Sequence, residues 1–329
     1  MARAGRLAAV VVTFNRLEQL QATVARFLES PAEDLAHLVV VDNASSDGTG
    51  AWLAAQMAAP TAEARLTVVT LPTNTGGAGG FEAGMRHAHE TFDPDWYLLT
   101  DDDGRPEPGA LAAFQALDVR QWDAVAAAVY FPDGTICEMN RPSRNPFWHG
   151  REFLSTALRG GGRNGFHISP AAYEADTGRP IDITSFVGFF ISRDGVARAG
   201  YPDPGLFLYG DDGIYTLEFS RQGGRIGFEP GVRFEHDCST FGAAQRGRFR
   251  PLWKVYYYHR NLLLLYRQAA GWLFWPLMCL ILPKWLLKVR HHKGERRVFF
   301  GLLAQAVQDG LRRRLGRSHA EVVEWSGGR

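Results

Sequence analysis

Short apolar runs rich in β-branched residues punctuate the first half of the chain. They are "LAAVVVTF" at 7–14, "LAHLVVVDN" at 35–43, "RLTVVTLP" at 65–72, "DWYLLTD" at 95–101 and "DAVAAAVYF" at 123–131. Each predicts a strand. Between the early runs lie helical patterns, such as "RLEQLQATVARFLES", with Leu17, Leu20, Val24, Phe27 and Leu28 at helical spacing. Strands alternating with helices predict βαβ units and a mostly parallel sheet covered on both faces, so the fold class is α/β. The first apolar run is only about eight residues long and gives way directly to polar ones, which fits a first buried strand better than a secretion signal.

Ligands in open α/β sheets bind at the carboxyl ends of strands. The loops that follow these strands are "TFNR", "DNASSDGT", "PTNTGGAGG" and "DDDG", so polar and glycine-rich chemistry gathers at one edge. The triplet Asp101, Asp102 and Asp103 sets three like charges side by side, a costly arrangement unless a cation or donors compensate it. Alternate residues of an extended segment share a side, so Asp101 and Asp103 are placed to share a hard divalent cation while Asp102 faces elsewhere. A second pair, Asp211 and Asp212, opens a helical pattern in "LYGDDGIYTLEF". Acids also simply start helices well, so this pair reads either as a helix start or as a proton acceptor aimed into a cleft. His236 ends the run "GVRFEHD", where a histidine is either structural or a third metal ligand.

The stretch from about 133 to 180, including "RGGGRNG" at 159–165, shows no period and predicts a long loop. Patterned structure resumes with "ITSFVGFFISRDG" and runs to "RIGFEPGVRFEHD". From residue 251 the character changes. That tail carries 14 Lys/Arg against 4 Asp/Glu, a balance of +10, which leaves −9 for residues 1–250 inside a net charge of +1. Its run from Gly271 to Pro283 is uncharged, is shorter than the roughly 20 residues a bilayer requires, and contains Pro276 and Pro283, which would break a straight helix. Basic flanks and Trp272, Trp275 and Trp285 predict a helix lying in a membrane surface or re-entering it, with burial against the rest of the chain or a dimer partner as the alternative. Two regions are expected, a catalytic domain over 1–250 and a helical basic tail over 251–329. Three cysteines, Cys137, Cys238 and Cys279, form no CxxC pair and no disulfide framework.

The order "VVVTFNR", "VVVDNASSDGTG", "NTGGAGGFEAGM", "DWYLLTDDDG", acidic pair, histidine resembles the inverting GT-A glycosyltransferases of family 2 over about residues 5–240. Together with "YYYHRN" at 256–261 it resembles bacterial galactofuranosyltransferases in particular, and rhamnosyltransferases to a lesser degree. The resemblance implies that Thr13, Asn15 and Arg16 line a nucleotide pocket, that Asp42 hydrogen-bonds the base, and that Asn74, Gly76 and Gly77 let the backbone approach the nucleotide. It implies a divalent cation, Mn²⁺ or Mg²⁺, on Asp101, Asp103 and His236. It gives Asp212 the role of catalytic base, with Asp211 beside it contacting acceptor or donor sugar, and makes "SFVGFF" at 185–190 part of the acceptor wall; Asp102, between the two metal-facing acids, touches either the donor or only the structure. The implied donor is a nucleotide sugar, UDP-galactofuranose before dTDP-rhamnose. The implied acceptor is a lipid-linked glycan at the cytoplasmic face of the cell membrane.

Other classes fit less well. A dinucleotide enzyme needs GxGxxG after its first strand, and "GGAGGFEAG" has neither the spacing nor the place. A nucleotidyltransferase needs a glycine-rich loop where "TFNRLEQ" stands. A non-catalytic scaffold of a polysaccharide assembly complex would not need complete acidic and histidine positions. Nucleic acid is not an expected partner, and a homo-oligomer is left open.

Overall fold

The computed structural model describes residues 3–58, 64–160, 165–238 and 248–328 of the 329-residue chain. Nine strands form one sheet: β1 Leu7–Thr13, β2 His37–Asp42, β3 Leu66–Thr70, β4 Trp96–Asp101, β5 Gly104–Pro106, β6 Ala124–Tyr130, β7 Arg179–Ile181, β8 Phe189–Ser192 and β9 Ile226–His236. Their order is β3-β2-β1-β4-β8-β6-β9-β5, with β7 also on β9. Strands β1 to β4 are parallel, β8 runs antiparallel between β4 and β6, and β6 is parallel to β9. The expected mostly parallel α/β sheet is therefore present, with β8 reversed near its middle and the short β5 and β7 reversed on β9.

Helices cover both faces: α1 Leu17–Leu28, α2 Thr49–Ala58, α3 Gly76–Phe92, α4 Ala110–Ala116, α6 Pro170–Tyr173, α7 Arg193–Ala199 and α8 Asp211–Arg221, while α5 Gly150–Leu158 joins the core of neither face and leaves Leu154 and Leu158 exposed. The period of two in the strands divides them between two cores. Ala8, Val10 and Val12 of β1 join Val39, Val41, Tyr97 and Leu99 on one face. Leu7, Ala9 and Val11 join Leu38, Val40, Trp96 and Leu98 on the other.

Two sequence expectations change here. The glycine-rich stretch after β3 is mostly helix, because α3 starts at Gly76. A Cβ on Gly80 would stand 2.4 Å from Val12 Cγ1 and one on Gly84 2.4 Å from Val10 Cγ1. These glycines thus let α3 lie close on β1, a packing role. The aperiodic stretch 133–180 also contains α5, α6 and β7, while Gly161 to Asn164 of its glycine run lie outside the described residues.

The tail folds as α9 Lys254–Ala270, α10 Phe274–Leu287, α11 Arg296–Leu311 and α12 His319–Trp325. These helices share a third core, which Phe207 enters from the loop ahead of α8. The break between α9 and α10 falls at Gly271, with φ at 54°, and not at a proline. Pro276 sits in the first turn of α10, where its missing N–H removes nothing, and Pro283 lies inside the helix. Taken turn by turn, Lys254–His291 forms a helical stretch of 38 residues, long and apolar enough to cross a membrane; its most apolar window is 22 % buried in the protein.

Candidate active site

The parallel register puts the ends of three strands level: Thr13 pairs with Asp42, and Val12 with Asp101. Beyond Asp101 the chain turns sharply and returns as β5. Thr100 Oγ1 donates to the Gly104 carbonyl (3.0 Å) and Thr23 Oγ1 to the Asp102 carbonyl (2.7 Å), which pins that turn. Because β5 pairs antiparallel with β9, Gly104 stands opposite His236. That pairing brings His236 to the acidic triplet from 133 residues away.

The carboxylates face different partners. Asp102 accepts from Thr13 Oγ1 (2.7 Å) and Arg16 Nη1 (2.8 Å). Asp103 accepts from the same Arg16 nitrogen (2.6 Å) and from His236 Nε2 (3.1 Å). Burial and then the neighbouring Asp103 push Asp101 up to about 7. Burial also lifts Asp102, to about 6, against the pull of Arg16. Asp103 is held below its ordinary value, because His236 and Arg16 outweigh its burial. Burial opposes a charge on His236, yet Asp103 holds the imidazolium up to about 10. The same balance raises Arg16, where Asp102 and Asp103 outweigh burial.

On its other side His236 Nδ1 meets Asn140 Oδ1 at 2.7 Å, and Asn140 Nδ2 donates to Ser185 Oγ at 2.9 Å. The Asn140 oxygen therefore accepts and Nδ1 carries the hydrogen, which aims Nε2 at Asp103. Cys137 and Cys238 pack beside this ring; their sulfurs and the imidazole lie within 4.8 Å of one another. Two of the three cysteines are thus neighbours, a proximity that their spacing of 101 residues concealed.

Asp211 and Asp212 open α8 behind Gly210. Asp211 is buried, and a Cβ on Gly77 would lie 3.8 Å from its Oδ2. Burial, then Asp212, raises its pKa well above the usual range, with Asp101 contributing. Burial raises Asp212 to about 6, and its Oδ1 accepts from the Gly213 N–H at 2.6 Å.

These groups line a single cleft of about 570 Å³. Thr13, Arg16, Asn74, Gly76, Gly77, Asp101, Asp102, Asp103, Asp211, Asp212 and His236 all reach it, whereas Asn15 and Asp42 are not in its lining. Asn15 Oδ1 accepts from Ser46 N (2.7 Å) and Asp42 Oδ1 from Ser45 N (2.9 Å), so both shape the adjoining loops. Of "SFVGFF", only Ser185, Phe186 and Val187 reach the cleft. Strand alternation sends Phe189 and Phe190 into opposite cores. Pattern reading missed Asn43, which grips the Gly76 carbonyl (2.9 Å) and the Thr75 N–H (2.8 Å). It also missed Asn140, hidden in the aperiodic stretch, and Tyr209, Trp253 and Lys254, which line the same cleft. The tail thus contributes to the cavity.

Residues 8–174 match the family described as "Glycosyl transferase family 2". Galactofuranosyltransferase GlfT1 of Mycolicibacterium smegmatis is 29 % identical over 232 residues, 70 % of this chain and 71 % of the relative. Undecaprenyl-phosphate mannosyltransferase of Micrococcus luteus is 29 % identical over 180 residues, 54 % of this chain and 70 % of the relative. Among solved structures, the mannosyltransferase PcManGT of Pyrobaculum calidifontis, in complex with GDP-Man and Mn²⁺, superposes with a TM-score of 0.54 at 19 % identity, covering 100 % of this chain and 81 % of that one. This likeness shows the GT-A fold. With half of its length matched by the family and a cleft built on the carboxyl edge of that fold, the chain belongs to glycosyl transferase family 2 and is a glycosyltransferase.

Proposed function

We propose that the enzyme is a metal-dependent, inverting glycosyltransferase that moves galactofuranose from UDP-galactofuranose to a lipid-linked glycan at the cytoplasmic face of a membrane. The observation that carries this reading is the cleft itself, where five aspartates converge on one histidine and one arginine. A cluster of that charge calls for a cation, and carboxylate oxygens with an imidazole nitrogen suit Mn²⁺ or Mg²⁺. Asp101, Asp103 and His236 would hold it, His236 through Nε2 once that nitrogen gives up the proton it donates to Asp103 here, and it would neutralise the charge of a departing nucleoside diphosphate.

The protein's own groups would do the rest. Gly76 and Gly77 let the backbone approach the donor, while Thr13 and Arg16 hold Asp102 and Asp103 in place. Asp211, turned toward Gly77 and Asp101, sits on the donor side. Asp212, partly exposed and raised to about 6, is ionised at neutral pH and basic enough to take a proton. The acceptor oxygen forms a bond to the anomeric carbon as the bond from that carbon to the diphosphate oxygen breaks. The acceptor's proton goes to Asp212. One displacement from the face opposite the leaving group inverts the centre.

The GlfT1 relative supports the galactofuranosyl donor. The polyprenyl-phosphate mannosyltransferase supports a lipid-borne acceptor and favours, as a second reading, transfer directly to a polyprenyl phosphate. On the tail, Trp272 is 82 % exposed, Trp275 60 % and Leu287 62 %, beside Lys284, which suits a membrane surface. The test is turnover of UDP-galactofuranose, dTDP-rhamnose and GDP-mannose with Mn²⁺ and lipid-linked acceptors. Mn²⁺-dependent turnover of UDP-galactofuranose is expected. A folded protein that binds and consumes no sugar nucleotide would leave only the scaffold reading.

A further inference from the structure

The "YYYHRN" segment of α9 lies outside the catalytic pattern, yet two of its residues grip the loop that presents the acidic pair. Arg260 and Asn261 are both fully buried. Asn261 Nδ2 donates to the carbonyls of Leu206 (2.9 Å), Leu208 (3.0 Å) and Tyr209 (2.9 Å). An amide has two N–H groups, so three converging carbonyls mean that one hydrogen is shared. Arg260 Nη2 donates to the carbonyls of Gly205 and Leu206 (both 2.8 Å), and its Nε donates to Asn261 Oδ1 (2.9 Å). That last bond fixes which way the amide points. Among the described residues Arg260 forms no ion pair; the rings of Tyr256 and Tyr257 flank its guanidinium, at 5.2 and 5.1 Å from their centroids.

The gripped loop is strained. Phe207 and Tyr209 take φ of 64° and 68°, and Gly210, with φ 74°, leads directly into Asp211. Non-glycine residues hold such angles only when their surroundings over-determine them, and such sites cluster at active centres. The loop also touches the opposite wall. The Phe207 carbonyl accepts from Ala78 N at 3.3 Å and stands 2.0 Å from where a Cβ on Gly76 would be. Phe207, Leu208, Tyr209 and Gly210 all line the cleft.

We infer that Arg260 and Asn261 are positioning residues, a latch that holds the strained 205–210 loop and through it aims Asp211 and Asp212. This rests on the proposed role of Asp212. It makes α9 part of the catalytic apparatus.

The test is Asn261→Asp, which keeps the shape and the acceptor for Arg260 but loses both donors. A misplacement of about 1 Å costs about 100-fold, so kcat should fall by about that factor while donor KM stays within about threefold of wild type. Arg260→Lys, which keeps a cation for the carbonyls but loses the bond that orients Asn261, should show the same split less severely. Arg267→Ala serves as control, since Arg267 is on the same helix and donates to the Leu311 carbonyl; its kcat should not change. Amide exchange on nucleotide-free protein gives a second readout, in which residues 206–213 should exchange about tenfold faster in Asn261→Asp. Unchanged kcat and unchanged exchange in that loop would overturn the latch, as would kcat and KM worsening together with exchange raised across the whole chain. A wild-type protein that turns over no sugar nucleotide would sink the transferase reading instead, and the exchange comparison would still decide whether Asn261 holds the loop.

Discussion

Replacing Asp212 with Asn should kill transfer and stabilise the protein at the same time. Burial pushes this carboxyl from 3.8 up to about 6, so ionising it in the folded state is disfavoured by about two pH units, or about 3 kcal/mol. The sign follows from proton counts. Between about pH 4 and 6 the folded state holds more protons on this group than the unfolded chain, so wild-type stability falls as pH rises through that window. An amide in place of the carboxyl has no charge to lose, and its oxygen can still accept from the Gly213 N–H. The variant's advantage should therefore be absent near pH 4 and complete above about pH 6, worth about 5 °C in melting temperature at neutral pH in chelator. Loss of a general base should lower kcat by about 1,000-fold, while the donor Kd stays near wild type. Melting curves at the two pH values, nucleotide titration and a turnover assay measure all three. Retained turnover would refute the base assignment, and a variant less stable than wild type at neutral pH would refute the claim that this carboxylate is held at a cost.

Arg16→Met leaves buried Asp102 and Asp103 without their shared cation and should cost about 3 kcal/mol by urea denaturation at neutral pH. The deficit should shrink as pH falls through the lowered pKa of Asp103, where that carboxylate no longer needs a partner. Gly76→Ala must place a methyl 2.0 Å from the Phe207 carbonyl at φ 73° and should cost about 3 kcal/mol or more. Gly109→Ala at φ 83°, with nothing within 4 Å, should cost only about 1 kcal/mol; equal urea midpoints for the two variants would refute the close loop contact. Replacing Trp272 and Trp275 with Ala should weaken sedimentation with anionic vesicles roughly tenfold or more and leave melting unchanged. Truncation at residue 250 is a poorer test of anchoring, because it also removes Arg260 and Asn261.

Much of this protein is legible one residue at a time. Runs such as "LAAVVVT" are buried on both faces and so must be strands of a covered sheet, and the polar segments after them must gather at one edge because parallel strands share a direction. That reasoning reaches Asp101 and Asp103 without coordinates, whereas Thr13 is singled out by the family resemblance. Local pattern also marks Asp211 and Asp212, since acids suit a helix start whether or not they do chemistry. It cannot say what those acids face, because Asp211 meets Gly77 only once α8 and α3 are packed together. The glycines of "GGAGGFEAG" look like a loop in sequence, yet Gly80 and Gly84 serve helix packing, a role that depends on the valines of β1 beneath them.

Periodicity and charge are local properties, so the parallel strands, their carboxyl edge and the kinds of side chain gathered there can be read from the chain alone. How those side chains combine depends on long-range packing. The β5–β9 pairing carries His236 to Asp103, Asn140 orients that ring from an aperiodic stretch, and Asn261 of α9 reaches back to the carbonyls ahead of Asp211. Each of these contacts joins segments tens of residues or more apart, and no window of sequence contains both partners.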